Sequence, residues 1–242
     1  MRLAWLALLL AACKPAAPAP LRVAAASDLT RPFTELARLF EQQGGPHVEL
    51  IFGSTGLLEK QLEEGAPYDL FAAADVAWAD KAAASGACES ATVKLYARGR
   101  LALWTRADVP LPASLEALQG VGRLAIANPE HAPYGRAARA ALQKAGVWDA
   151  LQPRIVYGEN VQQTFQYAQS GNADAALIAL ALVVGRTDGH FLPIEGAAID
   201  QALVLCVRGQ NHDAAARLAA LITGPQGREV LRRYGFLLPG QG

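Results

Sequence analysis

The sequence predicts two α/β lobes, each a largely parallel sheet with flanking helices, joined by two hinge strands. Three observations carry this. From Arg22 to about Lys81, short apolar strands alternate with amphipathic helices in the order β-α-β-α-β-α, the pattern of a mostly parallel sheet. Two longer apolar stretches, Leu95–Thr105 and Gln201–Arg208, break that rhythm and bracket a second alternating run. Four strand-to-helix junctions carry Ser, Thr, Asn or Gly, so four sets of unpaired helix N–H groups stand at carboxyl edges of sheets. Such edges take ligands, and the helix dipole there favours an anion.

The elements follow in order. Arg22–Ala26 is a buried strand ending in Ser27-Asp28-Leu29-Thr30, and Phe33, Leu36, Ala37 and Phe40 then recur at helical spacing. Val48–Phe52 is the second strand. Gly53-Ser54-Thr55-Gly56 follows it, with glycines that permit close backbone approach, and leads into a helix through Leu57, Leu58, Gln61 and Leu62. This turn is not a P-loop, because it has no Lys at the required spacing. Tyr68–Ala73 is the third strand, and Asp75 starts a helix through Trp78 and Lys81. Beyond the first long strand, Leu124–Ala127 leads into Asn128–Gly135, with Tyr134 immediately before a helix over Arg136–Lys144. Arg154–Tyr157 leads into Gly158-Glu159-Asn160-Val161 and a helix over Gln162–Gln169, and Ala175–Leu180 is a further strand. After the second long strand come helices over Asp213–Leu221 and Pro225–Tyr234.

Met1–Pro20 stands outside this pattern. Arg2 supplies a positive n-region, Leu3–Leu10 is an apolar run too short to span a bilayer, and Lys14–Pro20 is a Pro/Ala tether. Leu10-Ala11-Ala12-Cys13 resembles the lipobox of bacterial lipoproteins, which implies lipidation of Cys13 and an exported, membrane-anchored product. An ordinary cleaved signal with a chance Cys is the plainer reading of the same residues. The division expected is 1–20 signal and tether, 21–95 plus 203–242 the first lobe, and 96–202 the second.

Composition narrows the function. The chain has 242 residues, 52% apolar and 18% charged, with Lys+Arg and Asp+Glu balanced at 22 each. That balance argues against a nucleic-acid surface or a polybasic membrane patch. The four His are scattered and no CxxC exists, so no metal-ligand spacing is present. Cys88 and Cys206 are permitted to pair in an oxidising compartment, but sequence does not place their Cα atoms.

The ordered set VAAASDLT, FGSTG, GAPYDLFAAAD, LAIANPEHAPYG, GENV and SGNADAALIAL resembles the periplasmic molybdate-binding proteins of ABC importers. The resemblance runs from about Val23 to Phe236. It implies a type-II periplasmic-binding-protein fold and an oxyanion, molybdate or tungstate, held between the lobes and handed to a permease powered by an ATPase. It also implies a monomer, no cofactor and no catalysis. Carried over by position, the oxyanion donors are Ser27, Asp28 and Thr30 from the first turn and Ser54 from the second. Tyr134 supplies a phenol from the other lobe, and Val161 a backbone N–H. Many members have a small residue where Tyr134 stands and a Tyr at the position of Ala179; a subset makes the exchange seen here.

Each residue also has a bland reading. Ser27 and Ser54 suit ordinary helix caps, Tyr134 a packed turn aromatic, and Val161 a core side chain. Arg136 reads as surface. Asp28 departs from the uncharged polar residue common at its position and would repel a dianion. It is expected to cap its own helix by accepting from the N–H of Thr30 or Arg31; pairing with a cation such as Arg31 or Arg136, protonation, or a ligand with less negative charge than molybdate are the other routes. A same-fold receptor for sulfate, a phosphonate or an organic acid is the nearest competing function. A hydrolase would need a nucleophile with a positioned base, and no pattern links Ser27, Ser54 and His131 in that way. A ligand-responsive interaction module is the third class.

Overall fold

The computed structural model describes residues 19–240; Cys13 and the expected signal segment lie outside them. Its eight strands are β1 (Leu21–Ala26), β2 (Val48–Gly53), β3 (Leu70–Ala73), β4 (Lys94–Arg106), β5 (Leu124–Ala127), β6 (Ile155–Gly158), β7 (Ala175–Ala179) and β8 (Gly189–Leu205). The helices are α1 (Thr30–Gln42), α2 (Thr55–Glu63), α3 (Val76–Ala84), α4 (Pro133–Lys144), α5 (Trp148–Leu151), α6 (Val161–Gln169), α7 (His212–Thr223) and α8 (Pro225–Arg233).

The strands run in the order β2-β1-β3-β8-β4-β7-β5-β6. β2, β1 and β3 are parallel, as are β7, β5 and β6. Between these triplets lie β8 and β4, antiparallel to each other and to their neighbours. The parallel triplets are the cores of the two lobes. β8 pairs with β3 of the first triplet, β4 with β7 of the second, and the two long strands pair with each other, so they link the lobes. α7 and α8 pack back on α1 and complete the first lobe.

The apolar pattern accounts for the layers. Phe33, Leu36, Ala37 and Phe40 form the buried face of α1. β3, β5 and β7 are buried along their whole length, as strands covered on both faces must be. Two boundaries differ from expectation. β8 starts at Gly189 and not Gln201, because its first half alternates exposed and part-buried residues and contains Pro193 and Gly196, which disguise a strand. Its register against β4 jumps between Arg100↔Ala198 and Ala102↔Pro193, so residues 194–197 bulge out of the ladder. α4 starts at Pro133, which places Tyr134 within its first turn and not before it.

Candidate functional site

The cleft between the lobes is built from the junctions that follow β1, β2, β5 and β6. Each ends a strand and opens a helix, so helix N-termini from both lobes meet around one space. That space is narrow, with room for little more than one water-sized sphere. Ser27, Asp28, Ser54, Thr55, Tyr134, Asn160 and Val161 supply its lining with Ala26, Gly53, Ala74, Ala132 and Pro133. No Lys or Arg is among them.

Five of the six residues expected at the site are therefore brought together: Ser27, Asp28, Ser54, Tyr134 and Val161. Thr30 is not. Its hydroxyl donates to the carbonyl of Ser27 at 2.7 Å, stabilising the short 3-10 turn Ser27–Leu29 from outside the cleft. Asn160, which sequence reasoning treated only as part of a turn, is the N-cap of α6 and accepts from the N–H of Gln163 at 3.0 Å. Thr55 accepts from the N–H of Ala74 at 3.2 Å and so ties two junctions of the first lobe together.

Asp28 does not cap its helix. No side-chain cap bond exists at that turn, and Oδ2 instead accepts from Gln201 Nε2 at 2.7 Å and from the Tyr134 phenol at 3.1 Å. Pairing with an arginine is absent as well. Arg31 donates to the carbonyls of Ala181 and Val184, and Arg136 bonds Asp75 at 2.6 Å. Asp28 is fully buried, and its Oδ1 has no partner. Burial pushes its carboxyl up to about 6, against the opposing pull of the Gln201 and Tyr134 hydrogen bonds. The raised value brings protonation within reach of mild acid, while near pH 7 the carboxyl of the empty cleft stays mostly ionised.

Gln201 is the residue that sequence reasoning missed. It sits in β8 with no exposed surface, donates to Asp28, and accepts from the Tyr96 phenol at 2.6 Å. A single glutamine ahead of the run Ala202–Leu205 was the available signal, because a buried amide must find partners. Burial, with the charge of Asp28 adding to it, holds the phenols of Tyr96 and Tyr134 well above their usual value. Both are therefore neutral donors.

Further contacts join the lobes. Ser54 Oγ donates to the carbonyl of His131 at 2.8 Å and lies 2.8 Å from its Nδ1. The N–H of Gly56 donates to the same carbonyl at 2.9 Å. A Cβ on Gly56 would stand 2.9 Å from that oxygen and 2.9 Å from the Trp78 ring, so only glycine permits this approach. Arg136 of α4 reaching Asp75, the N-cap of α3, bridges the cleft at its edge.

A hinged pair of α/β lobes enclosing a small polar cleft defines a solute-binding protein. The chain belongs to the bacterial extracellular solute-binding proteins, whose family matches residues 21–237. A molybdate-binding protein of Rhodobacter capsulatus is 31% identical over 96% of this chain and 94% of its own length. The periplasmic molybdate-binding protein of Azotobacter vinelandii superimposes with a TM-score of 0.84 at 30% identity, covering 90% of this chain and 99% of that one. A Bacillus subtilis protein named as a putative ABC transporter substrate-binding lipoprotein is 29% identical over 65% of this chain and 62% of its own.

Proposed function

We propose that this protein is an extracytoplasmic receptor that captures a tetrahedral oxyanion, molybdate with tungstate as its near equivalent, and delivers it to an ABC permease. The observation that carries the reading is the convergence of four helix N-termini from two lobes on a cleft lined by hydroxyls and no cation. A desolvated dianion needs several fixed donors, since each ionic oxygen that loses water must be repaid in hydrogen bonds. Neutral donors supply them while leaving the ligand releasable. The similarity to two molybdate-binding proteins supports the choice of anion, and the Bacillus relative's name supports the transporter partner.

In this reading Ser27 and the backbone N–H of Val161 donate to the anion, Ser54 does so once its hydroxyl turns from the His131 carbonyl, and Asp28 joins them only as a protonated acid. Tyr134 acts through Asp28, to which its phenol is already committed. The ligand is cargo; no cofactor takes part, and the receptor works as a monomer. The Leu10–Cys13 segment supports a lipid anchor, with Cys13→Ala expected to free the protein from membranes or block its processing.

Calorimetry of the purified protein against an oxyanion panel tests the proposal. Molybdate and tungstate are expected to bind alike and sulfate, with its shorter bonds, far more weakly. Equal affinity for sulfate would remove selection by size, and silence toward every oxyanion would overturn the receptor reading.

A further inference from the structure

Cys88 and Cys206 are buried, 3% and 2% exposed, and their sulfurs lie 2.9 Å apart. The two residues face each other as an isolated antiparallel bridge. The flanking backbone bonds run from Glu89 N–H to the Leu205 carbonyl and from Val207 N–H to the Ala87 carbonyl, at 2.9 and 3.0 Å. That pattern makes 88/206 a non-hydrogen-bonded pair, the type whose Cα atoms sit about 4.5 Å apart. Disulfides span Cα separations of roughly 4.4–6.8 Å. Family membership places the chain outside the cytoplasm, where such bonds form and persist.

We propose that Cys88 and Cys206 form a disulfide in the exported protein and that it clasps the base of both hinge strands. The bridge joins positions 118 residues apart, and the chain between them contains β4, the whole second lobe and β8. Both strands therefore leave the first lobe from a cross-linked foot, while the bond itself stays inside that lobe and away from the cleft. Its formation removes two protons and two electrons from the thiols and joins Sγ to Sγ. The electrons pass by thiol–disulfide exchange to the disulfide of an oxidising dithiol protein, which is reduced to two thiols. Exchange belongs to the folding chain, before the loop after α3 closes over the pair. In the finished fold the Cys88 contact and burial push the Cys206 thiol up, and both residues are buried.

Peptide mapping of the exported, unreduced full-length protein after alkylation in denaturant gives the direct test. The expected result is one linked Cys88–Cys206 peptide pair that separates only after reduction. Recovery of both residues as alkylated thiols would overturn the proposal, as would either one linked to another cysteine. Heating provides a second readout. Unfolding in dithiothreitol and refolding with the reductant present should lower Tm by about 5–15 °C for a loop of this length, and should have no such effect on Cys88→Ser. An equal Tm with and without reductant in the wild type would remove the clasp. Affinity for molybdate should stay within about twofold on reduction. If molybdate binds neither form, the ligand assignment fails while the mapping result still decides the disulfide.

Discussion

Asp28 and Tyr134, 106 residues apart and in different lobes, meet at 3.1 Å inside the cleft, with the phenol donating to the carboxyl. The carboxyl therefore takes part in lobe closure as well as lining the cleft, and its proton state bears on both.

The sign of its pH dependence follows. An aspartyl group whose folded value is raised to about 6 from an ordinary 3.8 binds more protons folded than unfolded. Its stability contribution is fully present below about pH 4 and is lost as pH rises through about 6. Two pH units correspond to on the order of 3 kcal/mol. A dianion in the cleft pushes the carboxyl further up, so binding between pH 6 and 8 should take up a proton. Molybdate affinity should fall as pH rises across that range, by up to about tenfold per unit. Asp28→Asn, which mimics the protonated acid, should hold the low-pH affinity throughout. Calorimetry in two buffers of different ionisation enthalpy measures the proton directly. Flat affinity in the wild type would refute the linkage, and a large loss in Asp28→Asn would mean that the ionised carboxylate itself binds the ligand.

Tyr134→Phe keeps the ring that packs in the first turn of α4 and removes only the donor. Its phenol bonds the buried Asp28 carboxyl across the lobes, so losing that bond, worth roughly 1.5–3 kcal/mol, should lower Tm and, through lobe closure, weaken molybdate affinity by about one to two decades. Unaltered affinity would leave Tyr134 a packing residue.

The layers of the fold were legible because buried parallel strands and amphipathic helices write themselves locally: Leu124–Ala127 and Phe33–Phe40 needed no tertiary information. The turns were legible as helix starts for the same reason. What a side chain does at those turns was less so. Asp28 looked like a cap, since Asp at a strand-to-helix junction caps unaided; its partners come from residues 106 and 173 positions away, which no local pattern encodes. The Thr30 hydroxyl bonds locally to the carbonyl of Ser27, a contact that its place in the turn allows. Ser54 was placed in the cleft, but its bond to His131 depends on how the lobes meet. The first half of β8 was missed because exposure, Pro193 and Gly196 erase its apolar signal.

Gly56→Ala tests lobe closure apart from ligand chemistry. The added methyl would press on the His131 carbonyl, which belongs to the other lobe, and on Trp78. Within α2 alone, Ala is the better helix former by about 1 kcal/mol. The variant should thus leave Tm level or higher while weakening molybdate binding at least tenfold. Small-angle scattering should show a more open shape with ligand present. Wild-type affinity would mean that the lobes close without this contact.

Gln201 offers the sharpest test of the buried network, because one atom can be changed in place. Its Nε2 donates to Asp28, and its Oε1 accepts from Tyr96. Gln201→Glu keeps the acceptor for Tyr96 but turns an oxygen toward the Asp28 carboxyl in a site with no solvent. Two carboxyls that close cannot both ionise, so the pair should share one proton and the second ionisation should move well above 6. The folded state then binds a proton that the unfolded chain releases. By the same sign rule as for Asp28 alone, the variant should be most stable in mild acid and lose stability steadily toward pH 8. Gln201→Met, of similar length and without charge, removes the donor but adds no acid, and its pH profile should follow Asp28 alone. Thermal unfolding of both variants from pH 5 to 8 compares the slopes. Parallel profiles would show that residue 201 does not face the Asp28 carboxyl in solution; a steeper fall in Gln201→Glu would establish the shared proton.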